Sequence, residues 1–198
     1  MHAIRARPAV LAGALAAAAA LSAAGCGSSD EPATTTTAAS RAAAAPMAMG
    51  GMSELATATR DDLRVGLEAM APETFFVSEG ARLRRQSPGR DAARHMMVTL
   101  SDRASGIRLP DATVTLRLTA PSGRTAFDGP LYPMIGRGMG MHYGENVPLP
   151  ERGAYRAQLV VGPPRIGRHM DSQTAWTEPV RVDAGFTWDG TRAAPAAP

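Results

Sequence analysis

The chain has 198 residues, of which 44% are hydrophobic and only 5% are aromatic. That length fits one domain with unstructured ends better than two domains. The basic residues are all arginines, and with 18 acidic residues they give a formal net charge of +3. Because no arginine cluster alternates with aromatic residues, nucleic-acid binding is excluded as the main function of the protein.

Residues 1–25 predict a lipoprotein signal peptide. Arg5 and Arg7 form a positive segment, and residues 9–21 form an apolar stretch that is short for a bilayer crossing. Small residues then lead directly to Cys26, the single cysteine, at the place where a bacterial lipoprotein is cleaved and acylated. We therefore expect a lipid such as palmitate on Cys26 and anchoring to the extracytoplasmic (periplasmic) face of the cell membrane. The mature chain then has no thiol, which excludes disulfides and thiolate metal sites.

Residues 26–53 predict a lipidated flexible linker, because runs of Thr and Ala offer little apolar surface to bury. Met47, Met49 and Met52 lie near its end. Three thioethers in such a segment could bind Cu(I), which prefers soft sulfur ligands. The alternative, which we favour, is that they occur by chance in a run rich in Ala, Met and Gly. At the other end, residues 189–198 predict a disordered tail.

Residues 54–188 show the two-residue alternation of β-strands, with Gly- and Pro-rich turns between them. Seven or eight short strands of this kind predict an all-β fold, an immunoglobulin-like antiparallel β-sandwich. Gly153-Ala154-Tyr155, just before one strand, resembles the tyrosine corner of immunoglobulin-like domains. The predicted strands include residues 63–70, 75–77, 95–100, 114–118, 125–131, 155–159 and 180–184.

The three histidines of the mature chain, His95, His142 and His169, each stand beside a methionine. Imidazoles and thioethers without thiolates suit copper, particularly Cu(I), better than zinc. In the predicted strand that begins at His95, Met96 falls in the core stripe, whereas Met97 shares the opposite, polar face with His95. We expect His142 and His169 to lie in loops at one end of the sandwich. These patterns alone support a metal site and incidental histidines about equally.

Residues 140–147, Gly-Met-His-Tyr-Gly-Glu-Asn-Val, resemble the glycine-X-His-Tyr-Gly-X-Asn-Val motif of the bacterial periplasmic Fe²⁺-transport protein family. These proteins are copper-bearing, immunoglobulin-like accessory proteins of high-affinity iron uptake. The resemblance runs from about His95 to Trp188 and includes Pro163-Pro164 and the run Arg-His-Met-Asp at 168–171. Residues 53–94 match poorly.

The resemblance implies that His95, Met97, Met134, His142 and His169 converge on one copper ion. The family has a glutamate where this chain has methionine at position 97. That departure removes a carboxylate that would help to hold a harder iron ion, so it favours copper.

The interval between Met134 and His142 is about one residue longer than the family pattern. Met139 or Met141 is therefore an alternative sulfur ligand. The longer interval also weakens the inference to iron.

The resemblance further implies copper and also Fe²⁺ as bound metals, a homodimer, and a membrane iron permease as partner. We therefore predict a membrane-anchored extracytoplasmic copper- and iron-binding lipoprotein that assists Fe²⁺ transport and is not an enzyme. Two alternatives stay open. One is a copper-tolerance or copper-delivery protein with no role in iron, and the other is an immunoglobulin-like binding module without metal.

Overall fold

The computed structural model describes residues 51–197, and the regular elements in this range are all β-strands. The predictions for the signal peptide, for Cys26 and for the linker up to residue 50, which includes Met47 and Met49, fall outside the described residues; the last position of the predicted linker, Ser53, is the first residue of a strand. Between residues 51 and 197 no helix has the length and apolar character that a membrane crossing requires. The strands are β1 (Ser53–Arg60), β2 (Leu63–Met70), β3 (Phe75–Glu79), β4 (Arg82–Gln86), β5 (Ala92–Asp102), β6 (Val114–Thr119), β7 (Thr125–Gly136), β8 (Gly140–Pro148), β9 (Gly153–Val161), β10 (Val180–Trp188) and β11 (Ala193–Pro195).

Nine strands form one antiparallel sheet in the order β1-β2-β5-β8-β7-β6-β9-β10-β11, and β3 and β4 form a separate hairpin. The long strand β7 joins two layers of this sheet. Its first part, up to Leu131, pairs with β6, and its second part, from Tyr132, pairs with β8. The sheet nearly closes, since β1 lies beside β10 and β11. The prediction of an all-β antiparallel sandwich is confirmed.

The core lies between the two layers and is built from alternate residues of the strands. Leu67 and Val98 come from one layer, and Leu116, Leu159 and Phe186 come from the other. Each such side chain contributes about 1.5–3 kcal/mol when it is fully removed from water. The alternation of apolar and polar residues in the sequence therefore indicates which face of each strand packs against the opposite layer.

The predicted tyrosine corner is present at the start of β9. The hydroxyl of Tyr155 donates to the carbonyl oxygen of Glu151 at 2.8 Å and accepts from its N–H at 3.0 Å. The Tyr155 ring stacks on Phe186 with centroids 5.3 Å apart. This pair of hydrogen bonds fixes the turn before β9 to the core.

Two sequence predictions about this region are wrong. The tail after residue 188 is not disordered throughout, because Ala193–Pro195 pair with the end of β10 and Ala193 is buried. His142 lies in strand β8 rather than in a loop. The glycines around it suggest a loop, yet Gly144 pairs with β5 and β7 on its two sides. Its missing side chain makes room for a histidine ring, as described below.

Candidate metal centre

Strand pairing brings four of the predicted ligands to one face of the sheet. His95 and Met97 lie two residues apart on β5, and Met97 pairs with Gly144 of β8. On the other side of β8, His142 pairs directly with Met134 of β7. Because paired residues of antiparallel strands share a face, as do alternate residues of one strand, all four side chains point away from the core.

This face is buried, although the sequence predicts a polar face. His95 and Met97 are 0% and 1% exposed, and His142 is 2% exposed. The segment before the β3–β4 hairpin covers part of the face, and the Phe75 ring stands edge-on to His95 with centroids 5.3 Å apart. The alternation itself is confirmed, since Met96 belongs to the core cluster.

Asn146 sets the orientation of the His95 ring. The backbone N–H of Glu73 donates to Oδ1 of Asn146 at 3.1 Å, and Nδ2 of Asn146 donates to the Glu73 carbonyl oxygen at 2.8 Å. These two bonds fix which end of the amide is oxygen, and that oxygen lies 3.2 Å from Nδ1 of His95. Nδ1 must therefore carry the hydrogen, which leaves the lone pair of His95 on Nε2.

A backbone carbonyl fixes the His142 ring in the same way. Nδ1 of His142 lies 3.0 Å from the carbonyl oxygen of Gly140, which can only accept a hydrogen bond. Nε2 of His142 therefore also carries a lone pair. Both Nε2 atoms are buried and have no hydrogen-bond partner among residues 51–197. Buried polar atoms without partners are rare in native proteins, and a bound ion is one explanation that fits this pair of nitrogen donors.

Burial lowers the pKa of His95 to about 4, against an upward contribution from its hydrogen bond with Asn146, and nearby His142 lowers the pKa further. The imidazole is consequently neutral at pH 7. A neutral ring is the form that binds a metal, since a proton on Nε2 competes for the same lone pair.

The depressed pKa predicts that the metal-free protein loses stability in mild acid. The ordinary histidine pKa of 6.5 applies to the unfolded chain, so the unfolded state takes up a proton first as the pH falls. The free energy of unfolding should fall by about 2 kcal/mol between pH 7.5 and pH 5 from this residue alone. Urea unfolding at both pH values measures it. A His95→Phe variant, which lacks a titrating nitrogen, should show a smaller change, and an equal change would contradict the assignment to His95.

Gly144 leaves the space that the His95 ring occupies, because it has no side chain. A Cβ at this position would stand 2.5 Å from Nε2 of His95 and 3.3 Å from the Met96 carbonyl oxygen. The neighbouring Tyr143 hydroxyl donates to the Leu109 carbonyl oxygen at 3.1 Å and accepts from a backbone N–H at 3.0 Å. The His-Tyr-Gly-X-Asn run thus supplies a nitrogen donor, an anchor for β8, a space for a ring and the amide that orients that ring.

The structure also separates the three candidate sulfur ligands near His142. Met134 is half-buried and pairs with His142. A Cβ added to Gly136 would lie 2.5 Å from the terminal carbon of Met139 and 3.6 Å from Cε1 of His142. Met139 therefore also lies close to His142. Met141 packs against the core, on the opposite face.

His169 lies apart from strand pairing, on an exposed part of the connection between β9 and β10. Its carbonyl oxygen accepts from the Ser172 N–H at 3.1 Å. Within residues 51–197, no three or more His, Cys, Asp or Glu side chains are grouped so that they could hold an ion by themselves. The methionines at 97 and 134 are therefore the further donors that strand pairing brings to this face, and the role of His169 stays a prediction.

Sequence reasoning missed Glu73, Gly144 and Asn146 as contributors to this centre. The signal for the last two is the Gly and Asn of the motif at 140–147. No comparable signal marks Glu73, whose partner Asn146 is 73 residues away along the chain.

Asn146→Ala should weaken the predicted copper binding by about 10–100-fold, because the ring of His95 would lose the group that fixes its tautomer and direction. Competition with a copper chelator measures this change. Gln158→Ala, which removes an exposed side-chain amide from β9, is the control and should leave the affinity unchanged. Unaltered affinity in Asn146→Ala would show that the amide does not support a ligand.

Comparison with known proteins gives a family match over less than half of the chain. The family model described as Fe²⁺ transport protein matches residues 101–190, which include Met134, His142 and His169 but not His95 or Met97. UPF0423 proteins of Brucella abortus and Brucella suis are each 34% identical over 97 residues, which cover 44% of this chain and 53% of the relative. The chain spans about half the length of these curated relatives.

Two solved structures share the fold. FetP of uropathogenic E. coli strain F11 has a TM-score of 0.56 and 21% identity, over 69% of this chain and 95% of that chain. The copper-reconstituted P19 protein from Campylobacter jejuni has a TM-score of 0.55 and 21% identity, over 74% of this chain and 100% of that chain. Over residues 101–190, the predicted resemblance to the Fe²⁺ transport protein family is thus confirmed.

Proposed function

We propose that this protein is an extracytoplasmic copper-binding protein that assists Fe²⁺ transport, with His95, Met97, Met134 and His142 as ligands from this face. The observation that carries the proposal is the pair of buried Nε2 lone pairs without partners among the described residues. The family match and the copper-bound forms of FetP and P19 support the choice of function and metal.

The residues of the face fit copper in both common oxidation states. Neutral imidazoles donate to Cu(I) and Cu(II), and the thioethers of Met97 and Met134 favour Cu(I). When bound, copper supplies one-electron redox chemistry. The protein's own part is to hold the two rings in one tautomer, through Asn146 and Gly140, and to exclude water from them by burial.

His169 is part of the proposed ligand set, and the protein acts as a homodimer. An exposed histidine is accessible to a second copy, whereas the buried His95 and His142 are not. His169→Ala should then weaken copper binding at concentrations where the dimer forms. Sedimentation of the wild type and copper titration of the variant test both statements, and a monomer that binds copper normally without His169 would refute them.

Lipid on Cys26 would hold the domain at the membrane, next to the iron permease that we propose as its partner. The small residues before Cys26 and the low-complexity segment after it support this placement. Labelling with radioactive palmitate should mark the wild type and not Cys26→Ser, and the variant should leave the membrane fraction. An unlabelled wild type would refute the anchor.

Metal loading of the purified full chain tests the central proposal. We expect about one copper per chain after loading and desalting, with Fe²⁺ bound more weakly. Copper at about a hundredfold excess over its Kd should stabilise the fold by roughly 3 kcal/mol. No retained metal and an unchanged Tm would instead favour a binding module whose histidines are incidental.

A copper-tolerance or copper-delivery role is the second candidate, and the methionine at position 97 favours it. A thioether in place of a carboxylate makes the site softer and less suited to iron. Growth of a deletion strain separates the two roles. Failure in iron-poor medium supports iron uptake, whereas failure only under copper stress supports copper handling.

A further inference from the structure

Glu73, in the connection between β2 and β3, approaches the donor nitrogen of His95. Its Oε1 lies 3.6 Å from Nε2 of His95, and its side chain is 32% exposed whereas that of His95 is 0% exposed. The distance is too long for a hydrogen bond. Two ligands that each bind one ion at about 2 Å stand about 3–3.5 Å apart in tetrahedral geometry. The separation is therefore close to that of neighbouring ligands on one metal.

The hydrogen-bond pattern leaves two acceptor atoms facing each other. Asn146 holds the proton of His95 on Nδ1, so the lone pair is on Nε2, which lies 3.6 Å from the carboxylate oxygen. A carboxylate oxygen beside a nitrogen lone pair is repulsive unless a proton or a metal ion lies between them. Among the described residues no other group pairs with this nitrogen.

The position of Glu73 is built into the fold. Its N–H and its carbonyl oxygen both bond to Asn146, the same side chain that orients His95. Phe75, two residues later, packs against the His95 ring. The backbone of Glu73 and the imidazole of His95 are thus held by one shared side chain, which places the Glu73 carboxylate within reach of the ring.

We propose that Glu73 is a carboxylate ligand of the copper site and that it favours Cu(II) over Cu(I). This inference rests on the proposed function. Glu73 lies outside the matched residues 101–190, and it supplies from another segment the hard oxygen that Met97 lacks. A carboxylate suits Cu(II) and Fe²⁺, whereas thioethers suit Cu(I). With both kinds of donor, the site retains copper in either oxidation state.

Glu68 offers a matched control. It is half-buried and pairs with Met97, so it lies on the same face as the proposed ligands. The carboxylate of Glu68, however, lies near Gly66 and Thr99: a Cβ added to Gly66 would be 3.6 Å from Oε1 of Glu68 and 2.6 Å from the Thr99 hydroxyl oxygen. Glu68→Gln therefore removes an equivalent charge from the same face without removing the oxygen next to His95.

The experiment compares wild type, Glu73→Gln, Glu73→Asp and Glu68→Gln as full chains. Competition with chelators gives the Cu(II) affinity in air and the Cu(I) affinity under reducing anaerobic conditions, and a redox titration gives the potential. In Glu73→Gln we expect the Cu(II) affinity to fall about tenfold or more and the Cu(I) affinity to stay within about threefold. A tenfold selective loss of Cu(II) affinity raises the reduction potential by about 59 mV. Glu73→Asp, which keeps the charge, should lie between this variant and the wild type.

The outcomes separate the two proposals. If the wild type binds copper and Glu73→Gln keeps its Cu(II) affinity and potential, or changes no more than Glu68→Gln, the role of Glu73 is refuted and the proposed function stands. If the wild type binds no copper in either oxidation state, the proposed function fails, and this inference fails with it. The Tm of the metal-free variants shows that each one folds.

Discussion

Replacing His95 or His142 with alanine should reduce the copper retained by the purified protein from about one ion per chain to nearly none. Each residue supplies one of the two buried Nε2 lone pairs on this face. Loss of a group that merely orients a ligand costs about 10–100-fold in affinity, so loss of the ligand itself should cost more. Metal analysis after copper loading and desalting measures the bound ion.

Met170→Ala is the matched control for these variants, because Met170 is a potential sulfur donor that is 81% exposed and lies next to His169. It should retain copper as the wild type does. A melting curve of each metal-free variant shows whether the fold persists. Wild-type copper content in both His95→Ala and His142→Ala would contradict a site on this face.

Gly144→Ala should disable the centre without removing any donor. The added Cβ would stand 2.5 Å from Nε2 of His95, closer than real Cβ atoms approach other atoms, so the ring must move. We expect copper affinity to fall at least tenfold, as for other losses of ligand orientation. The free energy of unfolding should fall by about 1–3 kcal/mol, as for overpacking in a tight interior. Copper competition and urea unfolding measure the two effects.

Gly89→Ala is the control for this substitution. Apart from Gly89 and its two chain neighbours, no described atom lies within 4 Å of the place where the added Cβ would stand. Stability should therefore stay within about 0.5 kcal/mol of the wild type, and copper affinity should not change. If Gly144→Ala bound copper as tightly as Gly89→Ala, copper binding would not depend on the present position of the His95 ring.

The alternation of the sequence was sufficient to predict the all-β class and the shared face of His95 and Met97. Period-two patterning reports directly which side of a strand is covered, as the core position of Met96 illustrates. The tyrosine corner was also predictable, because its hydrogen bonds join Tyr155 to a residue only four positions earlier. Local patterns of this kind depend little on the rest of the fold.

The rest of the centre depends on contacts between distant segments. Strand β8 was not predicted because glycine is unfavourable in strands and usually signals a turn. Here Gly144 instead leaves space for the His95 ring of β5. The approach of Glu73 to His95 depends on how the segment before β3 packs on the sheet, which no local pattern reports. Strand β11 escaped prediction because three residues of small side chains carry almost no periodic signal.

The two hydrogen bonds between the Asn146 side chain and the backbone of Glu73 tie the position of the covering segment to the orientation of the His95 ring. If that segment lifts away, the amide is released and the His95 ring is free to turn or to change tautomer. Closure and ion capture are then thermodynamically linked, and each must favour the other to the same extent. Bound copper should accordingly slow amide hydrogen exchange in the neighbouring β3–β4 hairpin, so a local opening rate would report whether the centre is filled.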